Sequence, residues 1–596
     1  ISHIHIENFR NFRELDIALG ESVVILGENR IGKSNLLQAI RLILDPSLPD
    51  NARQLRIEDF WDGLPRPLSL KDRILISVDI SDFDDNEDSL AVLAEHLVQP
   101  EPMVARLTYI FAPISGLERA PIKDDDFEFS IYGGDRPENR IGYDLRKRIP
   151  LEVLHALRDV GGDLARWTRS PLRPLIDRAR LCVERSELQE VADKVSEATE
   201  QVADLEPIKE LATKINEKLE TMSGKAQAIT TSLGLSPADP EKLLRSLRIL
   251  FDDATRDISE ASLGTANVLY LALRSLELDA MVNDGSLEHT FFAIEEPEAH
   301  LHPHLQRLVF RTYLRPRQPS VPNQLPTTNT SYLLTTHSPH IASVSPIKSL
   351  VLLRKKPGEA STIGASGASI DLSDQERYDI ERYLDVSRAE CLFAKGILLV
   401  EGDAEKFLLP VLAGGAGFDL DSLGISICSV SGTNFIPYVK FFGPRGLNIP
   451  FAIITDLDPQ EDGTCLGHDR VADQIIPIML GPFTPLSRED RLANAETNGV
   501  FLNTHTFEVD LFKSGYGEIM AKAMEDICTV KAAVNRSKER ARDNALNDED
   551  RFIKDIEYVG KGRFAQRLGA YISESMRQAC PEYLMKAIQY VVSKIS

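Results

Sequence analysis

Four acidic residues of this sequence follow apolar runs at a spacing that could hold a divalent cation. Glu401 and Glu405 lie one helical turn apart, and Asp456 and Asp458 come about fifty residues later. Unpaired carboxylates gathered at one point repel one another and raise their own pKa values, and a cation removes that cost. Hard oxygen ligands of this kind suit Mg²⁺ or Mn²⁺, the ions that assist displacement at phosphate.

Two buried strands are expected to position these acids. The runs at 396–400 and 451–455 are continuous and apolar, which is typical of strands covered on both faces. A glycine turn follows the first run and a helix is expected after it, so the sequence aims Glu401 and Glu405 at one point. The acids of both runs therefore lie at the carboxyl ends of their strands.

Two later segments could complete the same site. Residues 506–511 read as a strand with Glu508 and Asp510 on one face, and of these two acids Glu508 is the favoured additional ligand. Lys561 lies between two glycines at the expected start of a helix. A lysine placed there could stabilise charge that develops on a scissile phosphate.

A second phosphate site is predicted near the amino terminus. The apolar strand 23–26 runs into a complete G-x-x-x-x-G-K-S loop, and a helical pattern follows. In that context the backbone N–H groups wrap phosphate oxygens, the lysine reaches the β and γ phosphates, and the serine ligates Mg²⁺. The residues assigned to ATP and its Mg²⁺ are Gly27, Asn29, Gly32, Lys33 and Ser34.

Three further segments extend the nucleotide prediction. Glu295 and Glu296 end a buried strand, and we assign Glu295 to the metal and Glu296 to polarising the attacking water. Ser262 and Gly264 open a helix that could face a γ-phosphate. His337 ends another strand; it could be structural, or it could contact the γ-phosphate.

Bulk composition restricts the class of protein. The chain has 596 residues, 43% of them hydrophobic, so several domains of a globular protein are expected. No apolar run is long enough to cross a bilayer, and six scattered cysteines form no Cys-x-x-Cys pair, so a cytoplasmic protein without a membrane partner is predicted. The net charge of −23 does not exclude DNA, but it predicts binding that is sensitive to salt and metal.

The segment 166–235 has the pattern of a helical hairpin. Apolar residues recur in steps of three and four on both sides of Pro207. The hairpin could pack on its own domain, but so regular a seam favours a dimerisation arm. Nearer the carboxyl terminus, basic residues between 531 and 542 could be a solvated face or a phosphate contact.

Taken in order, these motifs resemble a known family. The phosphate loop, the Ser-Leu-Gly helix, Glu-Glu-Pro-Glu and Thr-His-Ser resemble ABC-type ATPases of the SMC and RecF group. The later Glu-Gly-x-x-Glu, Gly432 and Asp-x-Asp look like a Toprim domain. This domain order is similar to that of the OLD (overcoming lysogenization defect) nucleases, and Gly-Lys-Gly-Arg-Phe resembles the class 2 branch.

The resemblance implies an α/β fold and a function. It implies a homodimeric, metal-dependent DNA endonuclease or nickase with an ATPase, two Mg²⁺ or Mn²⁺ ions in the Toprim site, and a setting in phage defence or DNA repair. The metal ligands it implies are Glu401, Glu405, Asp456, Asp458 and Glu508, with Lys561 as catalytic cation. The expected divisions are ATPase at 1–165 and 236–372, helical dimerisation insertion at 166–235, Toprim core at 390–512 and helical nuclease region at 513–596.

Two departures and one alternative remain. Glu295 stands where ABC enzymes usually have Asp, and Ser-Leu-Gly replaces Ser-Gly-Gly, so slow ATP hydrolysis is expected. A topoisomerase would need a nucleophilic tyrosine, and a primase would need polymerising machinery; neither is identified. The alternative is an ATP-gated DNA clamp or repair mediator without cleavage activity, which a full set of clustered acids disfavours.

Overall fold

A computed structural model describes residues 1–84, 86–155, 160–203, 205–223, 231, 239–251, 256–314, 330–481, 486–575 and 580–595. No helix in these ranges is long and apolar enough to cross a membrane. The strands are β1 His3–Phe9, β2 Phe12–Ala18, β3 Val23–Leu26, β4 Ile74–Ile80, β5 Leu97–Pro100, β6 Met103–Pro113, β7 Phe127–Gly133, β8 Leu151–Leu154, β9 Leu250–Phe251, β10 Arg256–Asp257, β11 Thr290–Glu295, β12 Thr330–Thr336, β13 Leu350–Lys355, β14 Thr362–Ser366, β15 Gly396–Val400, β16 Ile425–Ser429, β17 Phe451–Thr455 and β18 Val500–Leu502.

Helices surround these strands in both halves of the chain. In the first half they are α1 Lys33–Leu44, α2 Asp50–Arg53, α3 Glu87–Leu93, α4 Tyr143–Arg148, α5 Val160–Ala165, α6 Leu172–Leu181, α7 Arg185–Ala203, α8 Glu206–Ser223, α9 Pro240–Arg245, α10 Leu263–Asn283, α11 Pro303–Leu314, α12 Pro339–Ala342, α13 Asp374–Tyr383 and α14 Val386–Ala389. In the second half they are α15 Asp403–Gly415, α16 Leu420–Leu423, α17 Ile436–Phe442, α18 Leu466–Asp469, α19 Ile476–Leu480, α20 Arg488–Ala493, α21 Phe507–Leu511, α22 Gly517–Ile527, α23 Lys531–Asp543, α24 Glu549–Val559, α25 Lys561–Ser575 and α26 Glu582–Ile595.

Besides the two-stranded ladder of β9 and β10, two six-stranded sheets build the amino-terminal half. The first is antiparallel, in the order β2-β1-β4-β6-β5 with β7 also paired to β6. The second has the order β14-β13-β3-β12-β11-β8, and all of its pairs except β13 with β14 are parallel. Its inner strands are largely buried, and their central residues are mostly apolar. The carboxyl ends of β3, β11 and β12 therefore meet at one edge, where the predicted nucleotide residues follow.

A third sheet organises the carboxyl-terminal half. Its four strands are all parallel, in the order β16-β15-β17-β18. The predicted strands at 396–400 and 451–455 are confirmed as its two central strands, and every residue of both is buried. Helices α15 and α26 pack on this sheet. The predicted α/β fold class is thus the observed one.

The strand predicted at 506–511 is wrong, because this segment is the helix α21. Thr506 precedes the helix in extended conformation, and the Asp510 N–H donates to the Thr506 carbonyl at 3.0 Å. Alternation over six residues satisfies both a period of two and a single helical turn, so the short pattern could not separate them. The consequence is that Glu508 and Asp510 no longer share a face by strand geometry.

The segment 166–235 contains the helices α6, α7 and α8. Most of its residues after Ser223 lie outside the described ranges. Several apolar side chains of this helical arm, defined as residues 172–223, are solvent-exposed, among them Val191 at 53%, Leu205 at 55%, Leu211 at 49% and Met222 at 77%. Such a seam leaves apolar surface that another helical element could cover.

Candidate active sites

Glu401 and Glu405 meet at the carboxyl end of β15. The strand ends at Val400, and the turn through Gly402 leads into α15, whose first turn carries the buried Glu405. A Cβ on Gly402 would lie 3.4 Å from Glu405 Oε2, at ordinary van der Waals distance. Glu401 Oε1 accepts from the Thr455 hydroxyl at 2.6 Å and from the Asp456 N–H at 2.9 Å. These bonds tie the ends of β15 and β17 together.

Asp456 and Asp458 follow β17 directly. Asp458 has a positive φ of 48°, which turns the chain sharply after the acidic pair. Asn503, just beyond β18, donates from Nδ2 to Asp456 Oδ1, and its Oδ1 accepts the Leu457 N–H at 2.9 Å. The sequence did not point to Asn503, because its role depends on the parallel pairing of β17 with β18.

Glu508 and Lys561 face each other from two helices. Glu508 is buried in α21, and Lys561 Nζ lies 3.6 Å from its Oε2 at the start of α25. Within the described ranges this Oε2 is a buried oxygen without a hydrogen-bond donor. Asp510 instead accepts the Thr504 N–H at 2.6 Å and the Thr504 hydroxyl, so its carboxylate closes a local turn.

Contacts at the ends of β15 and β17, together with the mutual electrostatic effects of the acids, indicate one group, here called the carboxylate cluster. Burial, with the nearby charges of Glu508 and Glu401, raises the pKa of Glu405 to about 7. Burial and the other carboxylates raise the pKa of Asp456 well above its usual range. Burial alone would lower the pKa of Lys561, but Glu508 and Asp456 outweigh it and raise it. The cluster comprises Glu401, Glu405, Asp456, Asp458 and Glu508.

An arginine that the sequence reasoning missed also belongs here. Arg470 donates to Glu401 Oε1 at 2.7 Å and to Asp458 Oδ2 at 3.0 Å. In the part of the chain that the structure describes, no three acidic, histidine or cysteine side chains converge into a ready-made metal site. Glu401 and Asp458 are instead directed at the Arg470 guanidinium.

The carboxylate cluster fits a divalent cation on its donor chemistry. Glu405 is buried and Asp456 is half-buried, the charged forms of both are disfavoured, and neither has an ion pair within the described ranges. Glu508 adds the buried oxygen that lacks a hydrogen-bond donor. Uncompensated carboxylates at one point are costly, and Mg²⁺ or Mn²⁺ takes oxygen ligands of this type.

The phosphate loop is closed by its own lysine. Gly27 and Gly32 have φ values of 151° and 110°, and a Cβ on Gly32 would collide with the Asn11 side chain. Lys33 Nζ donates to the carbonyls of Gly27 at 2.9 Å and Glu28 at 3.0 Å. Burial lowers the pKa of Lys33 to about 8. Asn29, in the middle of this loop, and Ser34, at its end, are exposed.

Glu295, the last residue of β11, and Glu296, which follows it, make different contacts. Glu295 Oε2 lies 2.7 Å from Nδ1 of His155, a residue that follows the neighbouring strand β8. Glu296 Oε1 lies 3.4 Å from His337 Nε2, and His337 Nδ1 lies 3.4 Å from Lys33 Nζ. The structure thus joins Glu296, His337 and Lys33 in one chain of contacts.

Glu298 holds this chain of contacts in place. Its Oε1 accepts the Thr336 hydroxyl at 2.9 Å and the His337 N–H at 2.7 Å. Burial, followed by the charge of Lys33, lowers the pKa of His337. Sequence reasoning missed Glu298 and His155, because both act across neighbouring parallel strands; the third acid of Glu-Glu-Pro-Glu was the only available signal.

Ser262 and Gly264 lie apart from this chain of contacts. Ser262 caps α10 by accepting the Thr265 N–H at 3.2 Å, and a Cβ on Gly264 would come within 2.7 Å of the His300 carbonyl oxygen. Asn267 Nδ2 donates to the Ala299 carbonyl at 3.1 Å. The helix is therefore fixed against the loop that follows β11, and a γ-phosphate contact from Ser262 and Gly264 stays a prediction.

Comparisons with known proteins match both halves of the chain. A family model described as "Overcoming lysogenization defect protein-like, TOPRIM domain" matches residues 392–458, and one described as "AAA domain, putative AbiEii toxin, Type IV TA system" matches 22–343. The solved C-terminal region of the Burkholderia pseudomallei OLD protein is 37% identical; the match covers 34% of this chain and 100% of that one, with a TM-score of 0.32. The chain belongs to the OLD family.

Two relatives extend over most of this OLD-family chain. The "OLD nuclease" of Thermus scotoductus is 25% identical over 478 residues, which cover 77% of this chain and 82% of that protein. The "Endonuclease GajA" of Bacillus cereus is 25% identical over 488 residues, which cover 77% of this chain and 75% of that protein. The predicted family is confirmed, and both printed names describe nucleases.

Proposed function

We propose that this OLD-family chain is a metal-dependent DNA endonuclease or nickase linked to an ATPase site. The observation that carries the proposal is the carboxylate cluster, in which the buried Glu405 and Glu508 and the half-buried Asp456 lie beside Lys561. The names of the relatives from Thermus scotoductus and Bacillus cereus support the same activity. A DNA clamp without cleavage activity would not need a group of poorly compensated acids, which is costly to the folded state.

The proposed cation ligands come from the carboxylate cluster, with Glu405, Asp456 and Glu508 as its least compensated members. The chemistry that a bound Mg²⁺ or Mn²⁺ supplies at phosphate is polarisation of the phosphoryl oxygens and activation of water. Asn503 orients Asp456 by its hydrogen bond, and the Asp456 N–H and Thr455 hydroxyl orient Glu401. Together these bonds fix the direction from which the acids hold their ligand.

Lys561 is the proposed catalytic cation. Its ammonium lies 3.6 Å from Glu508 Oε2, and the acids of the cluster keep it protonated. A protonated amine at this position can donate to a phosphoryl oxygen as negative charge develops there, while water attacks phosphorus and the bond to the leaving oxygen breaks. This role requires DNA to lie across the exposed side of the cluster.

The ATP site is proposed at the carboxyl ends of β3, β11 and β12. Phosphate oxygens would replace the carbonyls of Gly27 and Glu28 as acceptors for Lys33, and Ser34 and Glu295 would hold Mg²⁺. Glu296 is the proposed residue for polarising water, with His337 beside it at 3.4 Å. Gly32 and Asn29 shape the loop around the phosphates.

We also propose a homodimer through the helical arm. Val191 and Leu211, on α7 and α8, are 53% and 49% exposed, and the same elements of a second chain could cover them. A Val191→Glu, Leu211→Glu double variant is expected to sediment as a monomer, whereas Thr213→Glu on an exposed position leaves the dimer intact. A dimer that survives the double variant would remove the arm from the interface.

A plasmid assay tests the nuclease proposal. Supercoiled DNA is incubated with Mn²⁺ or Mg²⁺, with and without ATP, and nicked and linear products are separated on a gel. Asp456→Asn is expected to lose cleavage by about a thousandfold or more, because a proposed metal ligand is lost. Asp462→Asn, an exposed acid that only caps Thr464, is the matched control. Cleavage that persists in Asp456→Asn would overturn the assignment.

A further inference from the structure

The Arg470 guanidinium lies within the carboxylate cluster and supplies a positive charge there. It lies at the start of a π-helical segment, Arg470–Ile475, and only 7% of it is exposed. Besides Glu401 and Asp458, its guanidinium donates to the Thr455 hydroxyl and to the Asp456 carbonyl at 3.2 Å. A guanidinium keeps its proton at every pH a protein meets, so its charge is permanent.

Arg470 divides the five acids of the cluster into two groups. Glu401 and Asp458 are ion-paired with Arg470 at 2.7 and 3.0 Å. Within the described residues, Glu405 and Asp456 have no ion pair, while Glu508 has only Lys561 at 3.6 Å. Negative charge is therefore largely compensated on the Arg470 side of the cluster and less compensated on the Lys561 side.

We propose that Arg470 is a positioning residue that holds Glu401 and Asp458 before any divalent cation arrives and directs the first cation to Glu405, Asp456 and Glu508. The proposal rests on the metal-dependent nuclease assignment above and adds an order of filling to it. A second cation between Glu401 and Asp458 must compete with the guanidinium. Because like charges repel strongly in a buried site, Arg470 weakens that second binding step.

Calorimetric titration of the full chain with Mn²⁺ alone tests this order. The natural chain is expected to show one tight step and one weaker step. Arg470→Gln removes the competing charge and is expected to tighten the weaker step on the order of tenfold or more. Arg470→Lys keeps a charge at the site and is expected to leave that step weak. Arg488→Gln, which breaks an exposed arginine bridge to Asp469 and Asp473, is the matched control.

A stability measurement separates this role from a merely structural one. Loss of a structural arginine would lower the unfolding midpoint equally with and without Mn²⁺. If Arg470 instead compensates the charge of the acids, Arg470→Gln should lose stability mainly in EDTA, and Mn²⁺ should stabilise it more than it stabilises the natural chain. An equal gain from Mn²⁺ in both proteins, or an unchanged titration curve for Arg470→Gln, overturns the proposal.

A second pair of variants decides the matter if Arg470→Gln does not fold. Glu401→Gln is expected to keep the first Mn²⁺ step, because the first ion does not use that carboxylate, whereas Glu405→Gln is expected to lose it. Loss of the first step in Glu401→Gln overturns the order of filling while leaving the nuclease assignment intact. A natural chain that binds no Mn²⁺ overturns both.

Discussion

The nucleotide site and the carboxylate cluster both lie at the carboxyl ends of parallel strands, yet they balance their charges differently. In the proposed nucleotide site, Lys33 donates to two loop carbonyls, and Glu298 Oε1 accepts two hydrogen bonds from the end of β12, while Glu298 Oε2 has no donor within the described residues. In the cluster, five carboxylates share the two cations Arg470 and Lys561.

This contrast indicates which site depends on its ligand for stability. Lys33 already has two carbonyl acceptors in the phosphate loop, so nucleotide binding exchanges one set of oxygen acceptors for another. In the cluster, burial and the neighbouring carboxylates disfavour the charged forms of Glu405 and Asp456. A divalent cation should therefore stabilise the nuclease half more than ATP stabilises the phosphate loop.

The largest expected effect separates the two sites by activity. Lys561→Met should lower cleavage of plasmid DNA by about a hundredfold to a thousandfold, because one charge that stabilises the transition state is lost. Release of phosphate from ATP should be unchanged. Lys554→Met, on an exposed position of α24, is the control. Equal losses of cleavage and ATP hydrolysis would show that the two sites do not act separately.

The reverse effect is expected at the phosphate loop. Lys33→Met should lower ATP hydrolysis by about a hundredfold, since the ammonium that reaches the β and γ phosphates is gone. Cleavage with Mn²⁺ and without nucleotide should stay at the level of the natural chain. Lys348→Met, at an exposed position, serves as control. Unchanged phosphate release in Lys33→Met would remove the ATPase assignment.

An effect on stability should follow from Glu405. Its folded pKa is raised to about 7 from 4.5, so between these pH values the folded chain holds a proton that the unfolded chain has released. In EDTA the free energy of unfolding should therefore fall as pH rises from about 4.5 to about 7.

Glu405→Gln removes the titrating group and should weaken this fall. At pH 8 in EDTA, the variant should be more stable than the natural chain by about 1–3 kcal/mol, and it should gain less from Mn²⁺. Urea unfolding at pH 5 and pH 8 measures the difference, with Glu489→Gln as a surface control. The same pH dependence in both proteins would show that Glu405 is not destabilised by its surroundings.

The smallest expected effect concerns Asn503. Asn503→Ala removes the hydrogen bond that orients Asp456, and it should weaken Mn²⁺ affinity by about tenfold to a hundredfold. Asn498→Ala, which loses only a bond to the Asn494 carbonyl, is the control. An unchanged Mn²⁺ titration would mean that Mn²⁺ binding does not depend on the hydrogen bond from Asn503 to Asp456.

The strands and their terminal acids could be predicted because buried parallel strands are continuous apolar runs. The sequence favours Glu508 for this site but predicts the wrong element around it, since six residues do not distinguish a strand from one helical turn. Arg470 lies within a mostly apolar helical stretch and reaches Glu401 across 69 residues. Contacts such as this, and that of His155 with Glu295, depend on strand order, which local sequence does not encode.

The most direct test of the central claim is to locate Mn²⁺ in crystals of the full chain by its anomalous scattering. We expect a Mn²⁺ peak coordinated by Glu405, Asp456 and Glu508 at low ion concentration, with the guanidinium of Arg470 still bound to Glu401 and Asp458. A fully occupied Mn²⁺ elsewhere, with no peak at these three carboxylates, would contradict it.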